Sequence, residues 1–556
     1  MKHASGGADL QVRPILFVLA LALVALGVAS VRAQVPWDRL LRTDREPQNW
    51  LTYSGGNNGW RHSPLTQITP ANAKNLEMKW VFQADSTEKL ESSPLVVDGV
   101  MYVTEPPNTI IALDAKTGRI FWIYTYQVAA DARVCCGRVN RGLAILGDTL
   151  FMGTIDAHLV AVNAKNGRLL WDTRIGTAAQ GYAVTMAPLV VKDKVIIGTA
   201  GGEQGIIGFV SAYDAATGRE LWKFKTIPGP GEPGNETWGN DSWKNGAGSL
   251  WVTGSYDPEL NLTYWGIGNP GPDWNPAKRP GDNLYTCSAI ALDADTGELK
   301  WHFQFTPNDG MDWDSAQVPV LVDMNWNGTP RKLMLWANRN GFFYVLDRTN
   351  GKFVRGAPFV KQNWAAGLDA NGRPIRLLNT GSQEGGTLTY PNAQGGTNWF
   401  SPSWSPRTGL FYVGAWNDAY ALAQAYPVEF QEGRGYTGGS PTTRMPNIRR
   451  PRINNWTEQA GHGEILALDP KTGDAKWKFL MHDVTDAGML TTGGDVLFAG
   501  NREGYFMALD ARDGSFLWRA LVSGQISSSP ISYAVDGKQY VAISAFHSVF
   551  VFGLRD

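Results

Sequence analysis

The chain has 556 residues, with 50 lysines and arginines against 51 aspartates and glutamates, and 43% of its residues are apolar. This apolar fraction is enough for a large core, and 63 glycines with 31 prolines stay below the share typical of low-complexity chains, so disorder is excluded. Three cysteines are too few for a disulfide scaffold. The near-zero net charge argues against a nucleic-acid-binding protein, which needs a basic field to neutralise phosphates.

Residues 1–33 have the pattern of a secretory signal peptide. Lys2 and Arg13 precede an apolar run at residues 14–31, and Ala33 ends a small-x-small cleavage pattern. A retained membrane anchor is the alternative, because a run of this length reaches the lower limit for a spanning helix. We expect cleavage, which leaves residues 34–556 as one exported, periplasmic domain with no stable membrane span.

A short pattern recurs along the rest of the chain: alternating apolar residues, then Asp-x-x-x-Gly, and usually a tryptophan four residues after the glycine. The alternation predicts a strand, the aspartate and glycine predict a tight turn, and the tryptophan marks a returning strand. Each copy is therefore expected to form a β-hairpin. Seven copies are centred on Asp114, Asn163, Asp214, Asp293, Asp347, Asp469 and Asp510.

Two further strand-like runs precede most copies, as at residues 93–104 and 142–154. Four strands per unit, repeated mostly every 40–50 residues, predict an all-β fold, an eight-bladed β-propeller whose blades bury their faces against each other. Residues 409–423 are expected to supply the eighth, degenerate unit, the tryptophans are expected to fill the gaps between blades, and the C-terminal strands are expected to close the ring with residues 78–82. A non-catalytic envelope scaffold remains an alternative, since a fold alone does not define a function.

Five segments between the repeats carry residues suited to chemistry. They are RVCCGRVNRGLAI, AGGEQGIIGF, GAGSLWVTGSYDPE, GNPGPDWNP and PNDGMDWDS. Together with the tryptophan-bearing repeat, these segments resemble the quinoprotein dehydrogenases, which bind pyrroloquinoline quinone (PQQ). The resemblance is to the soluble, eight-bladed methanol and alcohol dehydrogenases without a haem domain, and it implies oxidation of a small primary alcohol or an aldehyde. A sugar or polyol dehydrogenase using PQQ is the alternative within the enzymes.

The resemblance implies a cofactor site with two walls. A disulfide between Cys135 and Cys136 would cover one face of PQQ, and Trp251 would stack on the other. A reduced cysteine pair and a tryptophan that only packs between blades are the alternatives. Cys287 is expected to be free and buried. Further contacts to the cofactor are implied for Glu91, Arg141, Thr185, Gly201, Gly202, Arg339 and Asn398.

The same resemblance implies a metal site made of Glu203, Asn269 and Asp312. Carboxylate and amide oxygens suit a hard cation rather than zinc, which favours histidine and thiolate. Asp314 follows two residues after Asp312, and in an extended segment both side chains would point the same way. In the family an acidic residue at this position accompanies the lanthanide-dependent members, so a lanthanide ion is favoured. Calcium, with Asp314 as a solvated loop carboxylate, is the alternative.

The implied mechanism assigns Asp312 as the general base and Arg339 as the group that stabilises negative charge on the quinone oxygen. The sequence contains no Cys-x-x-Cys-His motif, so a separate c-type cytochrome is expected to accept the electrons. Asp486 stands where the family often has a tryptophan, which leaves the substrate pocket undefined. Residues 444–452 carry four arginines and form either a docking segment for an acidic partner or a solvated loop. A homodimer is possible.

Overall fold

The computed structural model describes residues 35–441 and 461–555, together with Met1, and these residues are almost entirely β-structure. The apolar run of the expected signal peptide and the arginine-rich residues 444–452 lie outside the described residues. None of the helices within the described residues has the length and hydropathy needed to cross a bilayer. The helices are α1 (Trp37–Leu41) and short 3₁₀ turns at Thr43–Arg45, Ala73–Asn75, Ala178–Gln180, Gly202–Gln204, Asn235–Thr237, Ser242–Asn245 and Pro276–Lys278.

Eight sheets form the blades, which are numbered here in chain order of their innermost strands. Two N-terminal strands, β1 (His62–Ser63) and β2 (Leu76–Gln83), join blades 7 and 8. Blade 1 consists of β3 (Leu95–Val97), β4 (Val100–Glu105), β5 (Thr109–Asp114) and β6 (Ile120–Thr125), and blade 2 consists of β7 (Ala144–Leu146), β8 (Thr149–Gly153), β9 (His158–Asn163) and β10 (Leu169–Arg174). Blade 3 consists of β11 (Leu189–Val191), β12 (Lys194–Gly198), β13 (Phe209–Asp214) and β14 (Glu220–Lys225), and blade 4 consists of β15 (Ser255–Asp257), β16 (Leu262–Gly266), β17 (Ser288–Asp293) and β18 (Leu299–Gln304).

The second half of the chain adds blades 5 to 8 and two small inserted sheets, β23–β24 and β25–β28–β29. Blade 5 consists of β19 (Val320–Trp326), β20 (Thr329–Ala337), β21 (Phe342–Asp347) and β22 (Phe353–Pro358), and blade 6 consists of β26 (Ser403–Ser405), β27 (Leu410–Asn417), β30 (His462–Leu468) and β31 (Ala475–Met481). The inserted strands are β23 (Ala365–Leu368), β24 (Pro374–Arg376) and β25 (Thr387–Thr389), which precede blade 6, and β28 (Ala421–Ala425) and β29 (Gly439–Pro441), which interrupt it. Blade 7 consists of β32 (Leu490–Thr492), β33 (Val496–Gly500), β34 (Tyr505–Asp510) and β35 (Phe516–Leu521), and blade 8 contains β36 (Ile531–Val535), β37 (Lys538–Ala545) and β38 (Ser548–Leu554).

The ring closes between the two ends of the described chain, as predicted. Strand β2 pairs antiparallel with β38, so that Met78 lies opposite Phe552 and Phe82 opposite Val549. Blade 8 is therefore built from three C-terminal strands and one N-terminal strand. This confirms the eight-bladed propeller and its closure.

The predicted source of the eighth blade was wrong. Residues 409–423 do not form a separate unit, because β27 pairs with β30 inside blade 6 and β28 belongs to the inserted sheet with β25 and β29. The long gap between the copies at Asp347 and Asp469 arises from insertions into a single blade. The eighth blade is instead the closing blade, which lacks the aspartate–glycine repeat and so escaped the count of repeats.

The tryptophans connect neighbouring blades, as the repeat predicts. Their indole Nε1 atoms donate hydrogen bonds of 3.0–3.3 Å to the carbonyl that follows the aspartate or asparagine of the next copy: Trp80 to Ala115, Trp122 to Ala164, Trp171 to Ala215, Trp222 to Ala294, Trp301 to Arg348 and Trp477 to Ala511. The rings pack against the turn glycine of that copy. At Gly351, for example, a β-carbon would lie 2.5 Å from the ring of Trp301, so a side chain there would collide with the indole.

The junction between blades 5 and 6 departs from this scheme. The copy around Asp347 carries Arg355 in place of the tryptophan, and the smaller Ala357 packs against Gly473 of the next copy. Trp518 makes the last junction by donating to the Leu76 carbonyl at 3.1 Å. The order of these contacts follows the chain once around the ring.

Replacing Trp301 by alanine is expected to lower the free energy of unfolding by about 3–5 kcal/mol, the usual cost of truncating a buried aromatic side chain. Trp301 is 8% exposed and fills the gap between blades 4 and 5. Thermal and chemical unfolding would measure the change. Arg355→Ala is the matched control at the junction without a tryptophan, and it should change stability by no more than about 0.5 kcal/mol. Equal effects of both substitutions would contradict the docking role of the indole.

The propeller topology brings the loops that carry the predicted site residues to one end of the ring. In an antiparallel blade the connections after the second and the fourth strand emerge at the same end, and the aspartate–glycine turns emerge at the other. We call the first end the loop face. All the predicted site residues lie in such connections: for example, Glu91 follows β2, Glu203 follows β12, Asp312 follows β18 and Arg339 follows β20. Residues far apart in the chain can therefore meet there.

Candidate functional site

An arginine joins two acidic residues at the loop face. Arg339 donates from Nη1 to Asp314 Oδ2 at 2.7 Å and from Nη2 to Asp312 Oδ2 at 3.4 Å. It also donates to the Ala393 carbonyl at 2.6 Å, while its Nε is buried without a hydrogen-bond partner. The two carboxylates thus both face the Arg339 guanidinium. The backbone between Asp312 and Asp314 differs from the expected extended segment, because Asp312 has a φ of 59° and the chain turns there.

Asp314 connects three loops. Its Oδ1 accepts a hydrogen bond from the Asn269 backbone N–H at 2.6 Å, and its Oδ2 accepts one from Trp251 Nε1 at 3.2 Å in addition to that from Arg339. The Asp314 side chain is 8% exposed, whereas that of Asp312 retains 29% of its surface. Asp314 is therefore enclosed by donors, and Asp312 is the carboxylate open to a small molecule.

Glu203 is presented by a one-turn 3₁₀ helix, Gly202–Gln204, between two glycines with positive φ. At Gly201 (φ +114°) a β-carbon would lie 2.0 Å from the Gly181 carbonyl oxygen, so a side chain cannot be accommodated. The Tyr436 N–H donates to the Glu203 carbonyl at 2.7 Å. This backbone arrangement leaves the Glu203 carboxylate free to face the site.

The vicinal cysteines lie beside Glu203. Cys135 and Cys136 form a disulfide, and a Glu203 carboxylate oxygen and both sulfurs lie within 4.8 Å of one another. The Arg133 Nη1 ties this loop to the Gly433 carbonyl at 3.0 Å. Cys287 is free and buried, as predicted.

A second arginine lies between two aromatic rings. The guanidinium carbon of Arg141 is 4.9 Å from the ring centre of Trp251 and 4.4 Å from that of Trp399. Arg141 also donates to Thr185 Oγ1 at 2.8 Å and pairs with Glu91 at 2.7 Å, and its Nε is buried without a hydrogen-bond partner. Four of the predicted residues therefore meet.

Asn398 is buried but its side chain is engaged within its own loop. Its Nδ2 donates to the Gln394 carbonyl at 3.0 Å and to Gln394 Oε1 at 3.2 Å. The adjacent Trp399, which the sequence reasoning missed, is the residue that reaches Arg141. Its position next to a predicted site residue was the one available signal, and 23 tryptophans made that signal weak.

The acidic side chains influence one another. Burial raises the pKa of Glu203, and the neighbouring Asp314 charge raises it further. Burial likewise holds the pKa of Asp312 well above its ordinary value; Arg339 opposes the shift, and Asp314, Asp273 and Glu203 add to it. Burial is thus the main cause of both raised pKa values, and the neighbouring negative charges add to it.

Asp273 is an acidic member of this group that the sequence reasoning missed. It is 2% exposed, and its pKa is raised well above the ordinary value by burial and by the charge of Glu203. It lies four residues after Asn269 in the segment GNPGPDWNP, so the signal was present in a motif already singled out. Glu203, Asp273, Asp312 and Asp314 provide four carboxylates at the loop face, a donor set that suits a hard cation.

The buried carboxyl groups of Glu203, Asp273 and Asp312, whose pKa values are raised, are expected to destabilise the metal-free protein as the pH rises above about 4, where unfolded aspartate and glutamate ionise. A carboxyl group whose folded-state pKa is raised binds its proton more strongly in the folded chain, so stability falls between the unfolded and the folded pKa. A bound cation should remove this loss. Thermal unfolding from pH 4 upward, with and without added lanthanum or calcium, should show a difference in midpoint that widens with pH. A difference independent of pH would contradict the assignment.

Asp486 is a buried residue whose carboxylate is paired. It is 7% exposed, and Arg502 contacts both of its oxygens, at 2.8 and 3.0 Å. Gln525 donates a third hydrogen bond, and the Arg502 guanidinium lies 4.5 Å from the ring centre of Trp416. An ion pair thus occupies the position where the family that the sequence resembles often has a tryptophan.

Comparisons with known proteins show that most of the chain is similar to alcohol dehydrogenases. A family model described as "Glucose/ethanol/alcohol dehydrogenase, beta-propeller domain" matches residues 50–362, and one described as "Outer membrane protein assembly factor BamB" matches residues 461–545. The chain is 36% identical to quinoprotein alcohol dehydrogenase PedH of Pseudomonas putida, over 95% of this chain and 91% of PedH. It is 37% identical to a 1-butanol dehydrogenase (cytochrome c) of Thauera butanivorans, over 89% of this chain and 74% of that protein.

Two solved structures share the fold over nearly the whole chain. The quinohemoprotein alcohol dehydrogenase ADHIIG from Pseudomonas putida HK5 matches with a TM-score of 0.87 and 33% identity, covering 95% of this chain and 83% of the other. A europium-containing methanol dehydrogenase matches with a TM-score of 0.85 and 31% identity, covering 93% of this chain and all of the other.

Proposed function

This chain belongs to the family of PQQ-dependent quinoprotein alcohol dehydrogenases, and on that premise we propose that it oxidises a primary alcohol, or an aldehyde, in the periplasm and passes the electrons to a separate c-type cytochrome. The observation that carries the proposal is the meeting of Asp312, Asp314 and Arg339 beside Trp251. Family membership excludes the non-catalytic scaffold. The signal pattern of residues 1–33 and the lack of a haem-attachment motif in the sequence support the compartment and the separate acceptor.

The residues at the loop face fit PQQ, a planar quinone that carries carboxylates. Two buried guanidiniums, of Arg141 and Arg339, each retain an Nε without a hydrogen-bond partner, which suits an anionic ligand. Trp251 supplies an aromatic surface for a flat ring. We assign PQQ binding to these residues together with Glu91, Cys135, Cys136, Thr185, Gly201, Gly202 and Asn398.

The acidic residues fit a hard cation. Glu203, Asn269, Asp312 and Asp314 supply three carboxylates and an amide oxygen, and Arg339 balances part of their charge. We assign the cation to these four residues, with a lanthanide as the proposed ion and calcium as the alternative. The second acidic residue, Asp314, supports the trivalent ion, because each added negative charge favours a trivalent over a divalent ion.

We assign separate roles in the reaction to the residues of the chain. When bound, PQQ supplies the acceptor for two electrons and the cation supplies a Lewis acid. Asp312, whose side chain is more open than that of Asp314, takes the proton of the substrate hydroxyl while the carbon is oxidised. Arg339 holds Asp312 at 3.4 Å and Asp314 at 2.7 Å, and it provides fixed positive charge where negative charge develops.

A dye-linked assay tests the proposal directly. The purified chain, loaded with PQQ and with either calcium or lanthanum, is offered short primary alcohols, their aldehydes, and a sugar or polyol. Turnover of short alcohols that requires both PQQ and the ion is expected, and it should be greater with lanthanum. Turnover of the sugar alone would favour the alternative substrate class, and activity without PQQ would reject the proposal.

A further inference from the structure

One buried arginine has no role in the mechanism above. Arg61 is 0% exposed, and its Nε has no hydrogen-bond partner. Its other nitrogens donate to neutral groups: to the Tyr53 carbonyl at 2.6 Å, to Ser93 Oγ at 2.8 Å and to the Pro530 carbonyl at 3.0 Å. Within the described residues no carboxylate pairs with it. A guanidinium keeps its charge in proteins, and a buried charge without a partner is costly, so Arg61 calls for an explanation.

Arg61 lies on the axis of the propeller. Residues 57–61 accept hydrogen bonds from the innermost strands of blades 4 to 7, through the backbone N–H groups of Tyr256, Leu321, Trp404 and Thr491. The guanidinium of Arg61 completes the circle, because Ser93 and Pro530 precede the innermost strands of blades 1 and 8. A segment that touches the innermost strands on opposite sides of the ring must cross its central opening.

Ser93 connects Arg61 to two residues assigned to the cofactor. The Ser93 hydroxyl accepts the hydrogen bond from Arg61, and the Ser93 N–H donates to the Arg141 carbonyl at 3.0 Å. Two residues earlier in the same segment, Glu91 pairs with the Arg141 guanidinium at 2.7 Å. One hydrogen-bonded residue therefore separates Arg61 from the segment that holds the Glu91–Arg141 pair.

A second connection runs through aromatic side chains. The guanidinium carbon of Arg61 lies 5.1 Å from the ring centre of Tyr53. Tyr53 belongs to a small apolar cluster, and Trp251 and Trp399 pack against that cluster. These two tryptophans are the rings that flank Arg141. The charge of Arg61 is thus placed behind the Trp251 surface that we assign to the flat ring of PQQ.

We propose that Arg61 is a positioning residue of the cofactor site: it holds the segment of Glu91 through Ser93, and its unpaired charge favours the binding of PQQ, which carries carboxylates. The inference rests on the proposed function, because it requires that PQQ binds at Arg141 and Trp251. A charge inside a protein acts over a longer distance than in water, so Arg61 needs no direct contact with the cofactor. The bound cofactor then supplies the negative charge that the chain does not.

The test is the affinity for PQQ in neutral and charged variants of Arg61. The full chain, supplied with lanthanum or with calcium, is titrated with PQQ by calorimetry. In Arg61→Gln and Arg61→Met the dissociation constant is expected to rise at least about tenfold, the effect of one unit charge on another about 10 Å away in a protein. Arg61→Lys keeps the charge and should lose less affinity than either neutral variant.

Arg348→Gln is the matched control. Arg348 is also a buried arginine, but it pairs with Asp257 at 2.7 Å and with Asp323 at 2.6 Å, at the end of the ring opposite the loop face. Its replacement leaves the buried Asp257 carboxylate without its partner, so it should lower the stability of the chain. The affinity for PQQ should be unchanged, because no hydrogen bond of Arg348 reaches the cofactor residues.

The outcomes separate the inference from the proposed function. If the native chain binds no PQQ with either ion, the proposed function fails and Arg61 loses its role with it. If the native chain binds PQQ and the neutral variants bind it equally well, the inference alone is overturned. An equal loss of affinity in Arg61→Lys and the neutral variants, or a failure of both neutral variants to fold, would also overturn it, because Arg61 would then be a structural residue.

Discussion

Replacing Asp312 by asparagine is expected to lower kcat by about 10²–10⁴-fold, the contribution of a well-placed general base. Asparagine has nearly the same shape but cannot accept a proton at neutral pH. The side chain of Asp312 is 29% exposed and lies 3.4 Å from Arg339, so it is both reachable and held in place. Steady-state kinetics with a dye acceptor would measure the loss.

Two controls are needed to interpret the loss of kcat in Asp312→Asn. PQQ binding, followed by its absorbance, should be retained in Asp312→Asn, so that the loss lies in turnover. Asp293→Asn, at a solvent-exposed turn of the opposite face, should leave kcat unchanged. Near-native turnover in Asp312→Asn would remove Asp312 from the mechanism.

Replacing Asp314 by asparagine is expected to change which ion the enzyme prefers. Removing one negative charge weakens the attraction for a trivalent ion one and a half times as much as for a divalent ion at the same distance. We therefore expect the affinity for lanthanum to fall at least about tenfold more than the affinity for calcium. Calorimetric titration of the PQQ-loaded variant with each ion would measure the two changes.

The comparison of the two ions is needed because Asp314 has other partners. It accepts hydrogen bonds from Asn269, Trp251 and Arg339, and disturbing them would weaken both ions alike. A common loss for lanthanum and calcium would therefore assign Asp314 a structural part only. Activity with calcium alone, unchanged in Asp314→Asn, would show that the enzyme is a calcium protein.

The repeats show how far local sequence information reaches. Alternating apolar residues, the Asp-x-x-x-Gly turn and the following tryptophan each act within one hairpin, so seven hairpins could be predicted correctly. The closing blade was predicted only in part, because β2 and β38 carry no repeat and their pairing joins residues 76–83 to residues 548–554. The 409–423 segment was misread for the same reason: its strands resemble a unit, but their partners lie across an insertion.

For the site, the sequence by itself supplied the residues that we propose for the chemistry, because the motif residues around Cys135, Glu203, Asn269 and Asp312 can be recognised within short segments. Only the tertiary structure decided that Asp314 is enclosed by three donors, that Trp399 packs on Arg141, and that Asp273 is buried without a partner for its Oδ1. Those facts depend on loops from different blades meeting at one face of a closed ring. Local patterns decide strands and turns through neighbouring residues, whereas burial and charge depend on residues that the chain brings together from hundreds of positions away.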